Sequence, residues 1–216
     1  MSLNVYANPK EFAAVLRSDF HAFAQKSFAH LIPDARLDRA WHHEAIAYAL
    51  DRVFRGECRR LIINAPPRSL KSLFASVAFP AFVLGRRPTA KFICLSYSQD
   101  LANKHAGDFR KVIQSLWYQE TFRPAAPFKE TEAEFQTAQG GFRFTTSIGG
   151  TLTGRGGDIL VIDDPLNATE VYSKTAREKT NTFFISSLLS RLDDKRNGAI
   201  IVIMQRLHPD DLTGSC

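Results

Sequence analysis

Two segments of the chain carry residue types that can do phosphate chemistry, and each begins where a run of apolar residues ends. The first is Ala65-Pro66-Pro67-Arg68-Ser69-Leu70-Lys71-Ser72, directly after Leu61-Ile62-Ile63-Asn64. A phosphate-binding loop of the form G-x-x-x-x-G-K-[ST] joins a strand to a helix. The N–H groups at the helix start, added to the helix dipole, hold an anion whatever the side chains. The lysine and hydroxyl of that pattern are present, while Ala65 and Leu70 stand where its glycines belong. Lys71 would neutralise the β- and γ-phosphates of a nucleotide, and Ser72 would ligate Mg²⁺. Leu70 fits such a loop only with a negative φ, or in a loop that stores strain. The plainer reading is a solvated lysine on a strand-to-helix turn.

The second segment is Ile159-Leu160-Val161-Ile162-Asp163-Asp164. A buried strand delivers Asp163 to the sheet edge, where a carboxylate can bind Mg²⁺ directly or through water. Asp164 could then orient and deprotonate an attacking water. Taken alone, such a segment is also what a strand end with helix-capping acids looks like. The pair of segments, with further strands between them, is more specific than either half.

The elements that must position these residues alternate along the chain. Ile46, Ala47, Leu50, Val53 and Phe54 recur at helical spacing, followed by a strand at 60–64 and a helix over about 71–84 that Gly85 and Pro88 stop. Residues 92–96 read as a buried strand, and Leu101, Ala102, His105, Phe109, Val112, Ile113 and Leu116 as one face of a helix. The stretch from Pro124 to Gly141 is turn-rich, Phe142-Arg143-Phe144 alternates like a strand, and Gly149-Gly150 with Gly154-Arg155-Gly156-Gly157 reads as mobile loop. A strand at 159–162, a helix marked by Ala176, Thr180, Phe183, Phe184, Leu188 and Leu192, and a strand over 199–204 complete the pattern. Continuous apolar strands separated by helices predict an α/β fold: a mostly parallel sheet with helices on both faces. Ligands of such sheets bind beyond the carboxyl ends of the strands, where both segments fall.

Composition excludes several alternatives. The 216 residues are 44% hydrophobic and 23% charged, ordinary for a globular domain and unlike a disordered or low-complexity chain. A net charge of +6 favours a polyanionic partner mildly. Three scattered cysteines, Cys58, Cys94 and Cys216, suit reduced thiols rather than a disulfide framework or a zinc site. The apolar stretch Val77 to Leu84 contains Pro80 and falls far short of the ~20 residues of a spanning helix. The N-terminus lacks the order of a signal peptide. The expectation is a cytoplasmic protein with no membrane association. His105 reads as a hydrogen-bonded core histidine, Lys174, Arg177 and Lys179 as a solvated helix face. No G-x-S-x-G elbow supports a serine hydrolase.

Four motifs in order carry a family resemblance: Pro66-Pro67-Arg68-Ser69-Leu70-Lys71-Ser72, Thr153-Gly154-Arg155-Gly156-Gly157-Asp158, Ile162-Asp163-Asp164-Pro165 and Met204-Gln205-Arg206-Leu207-His208-Pro209-Asp210-Asp211-Leu212. From about Trp41 to Gly214 the chain resembles the ATPase half of the large terminase subunit of tailed bacteriophages, the motor that pumps DNA into procapsids. The resemblance implies a P-loop NTPase-like fold, with residues 1–36 as a helical lead-in and 37–214 as the ATPase domain. Such proteins continue into a C-terminal nuclease domain, which is expected to be absent from residues 1–216, and with it DNA cleavage. ATP and Mg²⁺ are the implied cofactors. The loop Ala65 to Ser72 holds the phosphates, Ser72 and Asp163 lie on the metal side, and Arg68 resembles a loop arginine sensing the γ-phosphate. Asp164 falls where a catalytic glutamate is usual and is one methylene shorter. Gln205 resembles the motif that couples nucleotide state to DNA handling. Trp41 and His42 fall in the adenine-holding region, where the Trp41 indole either stacks on the base or packs in the core. Arg155 has three readings: an arginine finger entering a neighbouring subunit, a DNA-backbone contact, or a solvated arginine. The implied partners are double-stranded DNA, the small terminase subunit and the portal of the procapsid, with a homo-oligomeric ring as the active form in the bacterial host cell. The alternatives are a helicase-like ATPase and a non-catalytic DNA-binding or assembly remnant of a prophage terminase.

Overall fold

The computed structural model describes residues 8–38, 40–152 and 154–215; residues 1–7, Arg39, Thr153 of the glycine-rich motif and Cys216 lie outside them. Two helices lead in, α1 (Pro9–Ser18) and α2 (Phe20–Leu31), followed by α3 (Trp41–Phe54). Asn8 and Asp19 start α1 and α2 by accepting the N–H groups of Lys10 and Ala22, the usual use of a short polar side chain at an N-cap.

Seven strands form one sheet in the order β1-β7-β6-β2-β5-β4-β3. Five are mutually parallel: β1 (Arg60–Asn64), β2 (Lys91–Ser96), β5 (Phe142–Ser147), β6 (Ile159–Asp163) and β7 (Ala199–Met204). β7 is apolar along its whole length, and β6 as far as Asp163, because both faces of these central strands are covered, and every residue of β7 is buried. Alternation sends Phe92, Cys94, Val161, Ile201 and Ile203 to one face, against Phe20, Phe23, Leu50, Phe74, Phe79, Phe82 and Phe109 of the helices. Ile93, Leu95, Leu160, Ile162, Ile200, Val202 and Met204 point to the other face, against Leu152, Leu188, Leu192 and Leu212. The carboxyl ends of the parallel strands align, with Asn64 beside Met204 and Ser96 beside Asp163.

Four helix and strand segments differ from the sequence reading. Residues 129–136 are not plain loop: β3 (Lys129–Glu130) and β4 (Glu134–Gln136) add an antiparallel edge to β5. The helix read through Leu116 ends as α5 (Gln99–Gln114), because Ser115 turns to ψ 144° and its hydroxyl caps α6 (Leu116–Phe122). The helix read over 176–192 is regular only as α7 (Lys174–Phe183), then winds wider through Phe184–Leu188 and tighter through Leu189–Arg191. The helix after the lysine loop is likewise π-wound over Leu73–Ala78 before α4 (Phe79–Arg86). A short helix, α8 (Leu212–Ser215), follows β7.

The glycine-rich segment read as mobile is held down. A Cβ on Gly156 would lie 1.8 Å from Asp193 Oδ1, and Gly157 N–H donates to Arg191 O at 2.8 Å. Arg155 forks onto Glu134 of β4, at 2.5 Å and 3.3 Å, and lies 4.2 Å above the Phe144 ring. Arg155 holds the Glu134 carboxyl below the usual carboxylate range, its hydrogen bond outweighing the opposing effect of burial, with Lys129 helping. Arg155 therefore clamps the glycine-rich segment to the antiparallel edge, which replaces the solvated-arginine reading. Arg155→Ala should cost about 1–3 kcal/mol of stability in urea titration, since Glu134 is left with Lys129 alone. A loss within ~0.5 kcal/mol, the range of ordinary surface changes, would contradict the clamp.

Candidate nucleotide site

β7 separates β1 from β6, so the lysine loop and the acid pair start two strand spacings apart, about 10 Å. The helix that follows the loop closes this gap. It starts at Lys71 above the strand ends and lays Ser72 and Ser76 over the tip of β6. Lys71 Nζ lies 3.2 Å from Asp164 Oδ2, and Ser72 Oγ donates to Asp163 Oδ1 at 2.9 Å. Residues 91 apart in the chain are thus in direct contact.

Asp163 ends its strand on the face that carries Val161, which turns its carboxylate inward, 1% exposed. Burial is the main reason its pKa rises to about 7; the neighbouring Asp164 raises it further, while Ser76, Ser72 and Lys71 work against the rise. His105 Nδ1 lies 3.4 Å from Asp163 Oδ2, and burial, then the nearby Arg143, brings its pKa down to about 4. His105 is buried, as the core-histidine reading expects, and the polar group it faces in the core is the Asp163 carboxylate.

Asp164 turns off the strand with φ 44° and bridges its neighbours. Its N–H donates to Ile203 O, its carbonyl accepts from Tyr97 N–H, and its Oδ1 accepts the Gln205 N–H at 3.1 Å. Gln205 thus reaches the site through its backbone. The loop itself settles the alternative left open for Leu70: its φ is 61°, the strained conformation, and Arg68 has φ 63°. Among the described residues four non-glycine positions have positive φ, and three of them, Arg68, Leu70 and Asp164, lie here. Such conformations cost about 1–3 kcal/mol each and persist where the surroundings impose them, with a marked tendency to cluster at functional sites. Arg68 is exposed, so Arg68→Gly isolates that cost. It should raise the stability of the nucleotide-free protein by about 0.5–1 kcal/mol in urea, and a loss of stability would contradict the strain.

A cavity of 480 Å³ opens over the loop, lined by residues 68–73 and by Leu31, Ile32, Lys104, His105 and Asp108. Ser69 Oγ is buried in this loop with no hydrogen-bond partner. Ala65 is tied to the neighbouring strand by its N–H to Met204 O, and Pro66 and Pro67 lie exposed at the mouth of the loop. Trp41 and His42 do not line this cavity. Trp41 is 80% exposed, which answers the core-packing alternative, and the ring that meets the helix is His43, stacked on Phe74 at 5.6 Å. Arg155 is likewise remote from the lysine loop of its own chain, engaged on β4 and β5.

Ser76, His105 and Arg143 are the residues the sequence reading missed. Ser76 follows Ser72 by one helical turn, a spacing that puts both hydroxyls on one face. Arg143 breaks the apolar pattern of a strand that is buried, which marks a cation committed to a partner inside.

The class that this architecture defines is a P-loop-like α/β fold: a mostly parallel sheet with a strand-loop-helix turn at the carboxyl end of its edge strand β1. The chain is similar to a solved structure, the crystal structure of the HK97 bacteriophage large terminase, with a TM-score of 0.59 and 13% identity. The similarity covers 91% of this chain and 39% of that one, and at this identity it is a likeness of fold. No protein-family model and no curated protein matches the sequence.

Proposed function

We propose that the chain is the ATP-hydrolysing domain of a terminase-like DNA-packaging motor. The observation that carries this reading is the meeting of Lys71 with Asp164, and of Ser72 with Asp163, beside a cavity that Lys71 and Ser72 line. The residues fit Mg·ATP. The orphaned Ser69 hydroxyl supplies a donor for a phosphate oxygen, and the helix start and Lys71 supply positive potential. Among the described residues no cluster of three His, Cys, Asp or Glu side chains would hold a metal alone. That suits Mg²⁺, which is usually held by one or two carboxylates together with substrate phosphates.

Ser72 and Asp163 would hold the metal, which supplies neutralisation of the charge that develops on the phosphates. Lys71 would leave Asp164 for the β- and γ-phosphate oxygens. That exchange frees an Asp164 oxygen to orient a water and accept its proton, while the Gln205 N–H keeps the carboxylate tied to the end of β7. Arg68, exposed on its strained turn, is within the same loop to meet the γ-phosphate.

Double-stranded DNA is the proposed partner. Arg59, Arg60, Lys195 and Arg196 gather at the amino ends of β1 and β7, where Arg59 and Arg60 donate to the carbonyls of Arg196, Gly198 and Lys195. All four are exposed, on the edge of the sheet opposite the loop. A homo-oligomeric ring on a portal, with a small subunit, belongs to the same proposal. The test is phosphate release from Mg·ATP with and without linear duplex DNA. Release that duplex DNA stimulates and Lys71→Ala removes is expected. Nucleotide binding without any release, with or without DNA, would leave a non-catalytic assembly protein.

A further inference from the structure

Asp163 has two oxygens, and Ser72 holds only one. The other, Oδ2, accepts the Ser76 hydroxyl at 2.6 Å. Ser76 stands within the π-wound turn Leu73–Ala78, a winding that is rare in helices and concentrated at functional positions. From behind, Arg143 Nη2 donates to the Ser76 carbonyl at 3.1 Å. That guanidinium is 2% exposed and sits 5.2 Å from the Phe109 ring, and its Nε has no partner. A buried, incompletely paired arginine contributes less to stability than an apolar side chain of similar size would. Its placement is better accounted for by what it holds.

We propose that Ser76, fixed from behind by Arg143, is a positioning residue that keeps Asp163 Oδ1 turned toward Ser72. The proposal rests on the Mg·ATP reading above. The torsion that turns a carboxylate is broad and soft, so one hydrogen bond leaves it free to rotate and two fix it. When Ser72 is engaged with a metal, Ser76 remains the close donor to the carboxylate, with the His105 ring at 3.4 Å from the same oxygen. Partners of metal-binding carboxylates change metal affinity by about 10–100-fold when removed.

The experiment follows the melting temperature of the protein in saturating ATP while Mg²⁺ is titrated. Ser76→Ala should raise the Mg²⁺ concentration for half-maximal stabilisation by about 10–100-fold. It should leave unchanged the smaller stabilisation by ATP without Mg²⁺, which reads Lys71 and the loop. Ser76→Thr should restore the wild-type midpoint, and Arg143→Met should shift it in the same direction as Ser76→Ala. A Ser76→Ala midpoint equal to that of wild type, in a protein that still responds to Mg·ATP, would overturn the positioning role alone. A wild-type protein that ATP does not stabilise at any Mg²⁺ concentration would remove the nucleotide reading and this proposal with it.

Discussion

Asp163→Asn should make the nucleotide-free protein more stable at pH 8.5 by about 2 kcal/mol, and the gain should vanish by pH 4.5. The carboxyl titrates near 7 in the folded chain, against 3.8 as its ordinary value. Between those limits the folded state keeps a proton that the unfolded state has released. Stability therefore falls as pH rises through the window and stays low above it. A shift of ~3 pH units sets a ceiling of about 4 kcal/mol, and half of that is expected because the amide replaces only part of the serine contacts. His105 acts with the opposite sign. Its folded value of about 4 lies below the ordinary 6.5, so acid favours the unfolded state over that range. In wild type the two slopes oppose each other, while the Asn variant keeps only the histidine's and should lose stability steadily below pH 6.5. Urea titrations of both proteins at pH 8.5, 6.5 and 4.5 read the difference. An Asn variant less stable than wild type at pH 8.5 would mean that the buried charge is better compensated than its contacts indicate. Such a gain in stability at the cost of metal binding is what a functional residue, rather than a structural one, should show.

Lys71→Ala should abolish thermal stabilisation by Mg·ATP. A ligand at a hundred times its dissociation constant adds ~2.7 kcal/mol, which for a domain of this size is a rise of roughly 5–10 °C. The ammonium is buried and its partner is Asp164, so the variant removes the cation from the proposed phosphate site and also leaves a partly exposed carboxylate without its cation. A modest fall in the baseline melting temperature is expected and is separable, because the comparison is each protein with and without nucleotide. Wild type and variant melting alike in saturating Mg·ATP would favour the non-catalytic remnant.

The parallel strands were legible because strands buried on both faces must be continuously apolar, as Ile159-Leu160-Val161-Ile162 and Ala199 to Met204 are. The two halves of the candidate site were legible for the same reason: each begins where such a run stops. What could not be read was the geometry that depends on neighbours. The edge strands β3 and β4 are short and polar, with none of the apolar signature of the central strands. Arg155 finds Glu134, 21 residues earlier, in a stretch without that signature, so its role could not be inferred from the glycines beside it. His105 looked like core because it is in the core; only the sheet order brings Asp163 to it. The strain at Leu70 was foreseeable as one of two outcomes, and which one holds is a backbone angle that no pattern of residue types records.

The most direct test of the account is a crystal structure with a non-hydrolysable ATP analogue and Mg²⁺. The β- and γ-phosphates should lie within hydrogen-bond reach of Lys71 Nζ and Ser69 Oγ, and the metal should be bound by Ser72 with Asp163 beside it. Lys71 still paired with Asp164, and the triphosphate bound away from the 65–72 loop, would contradict that placement.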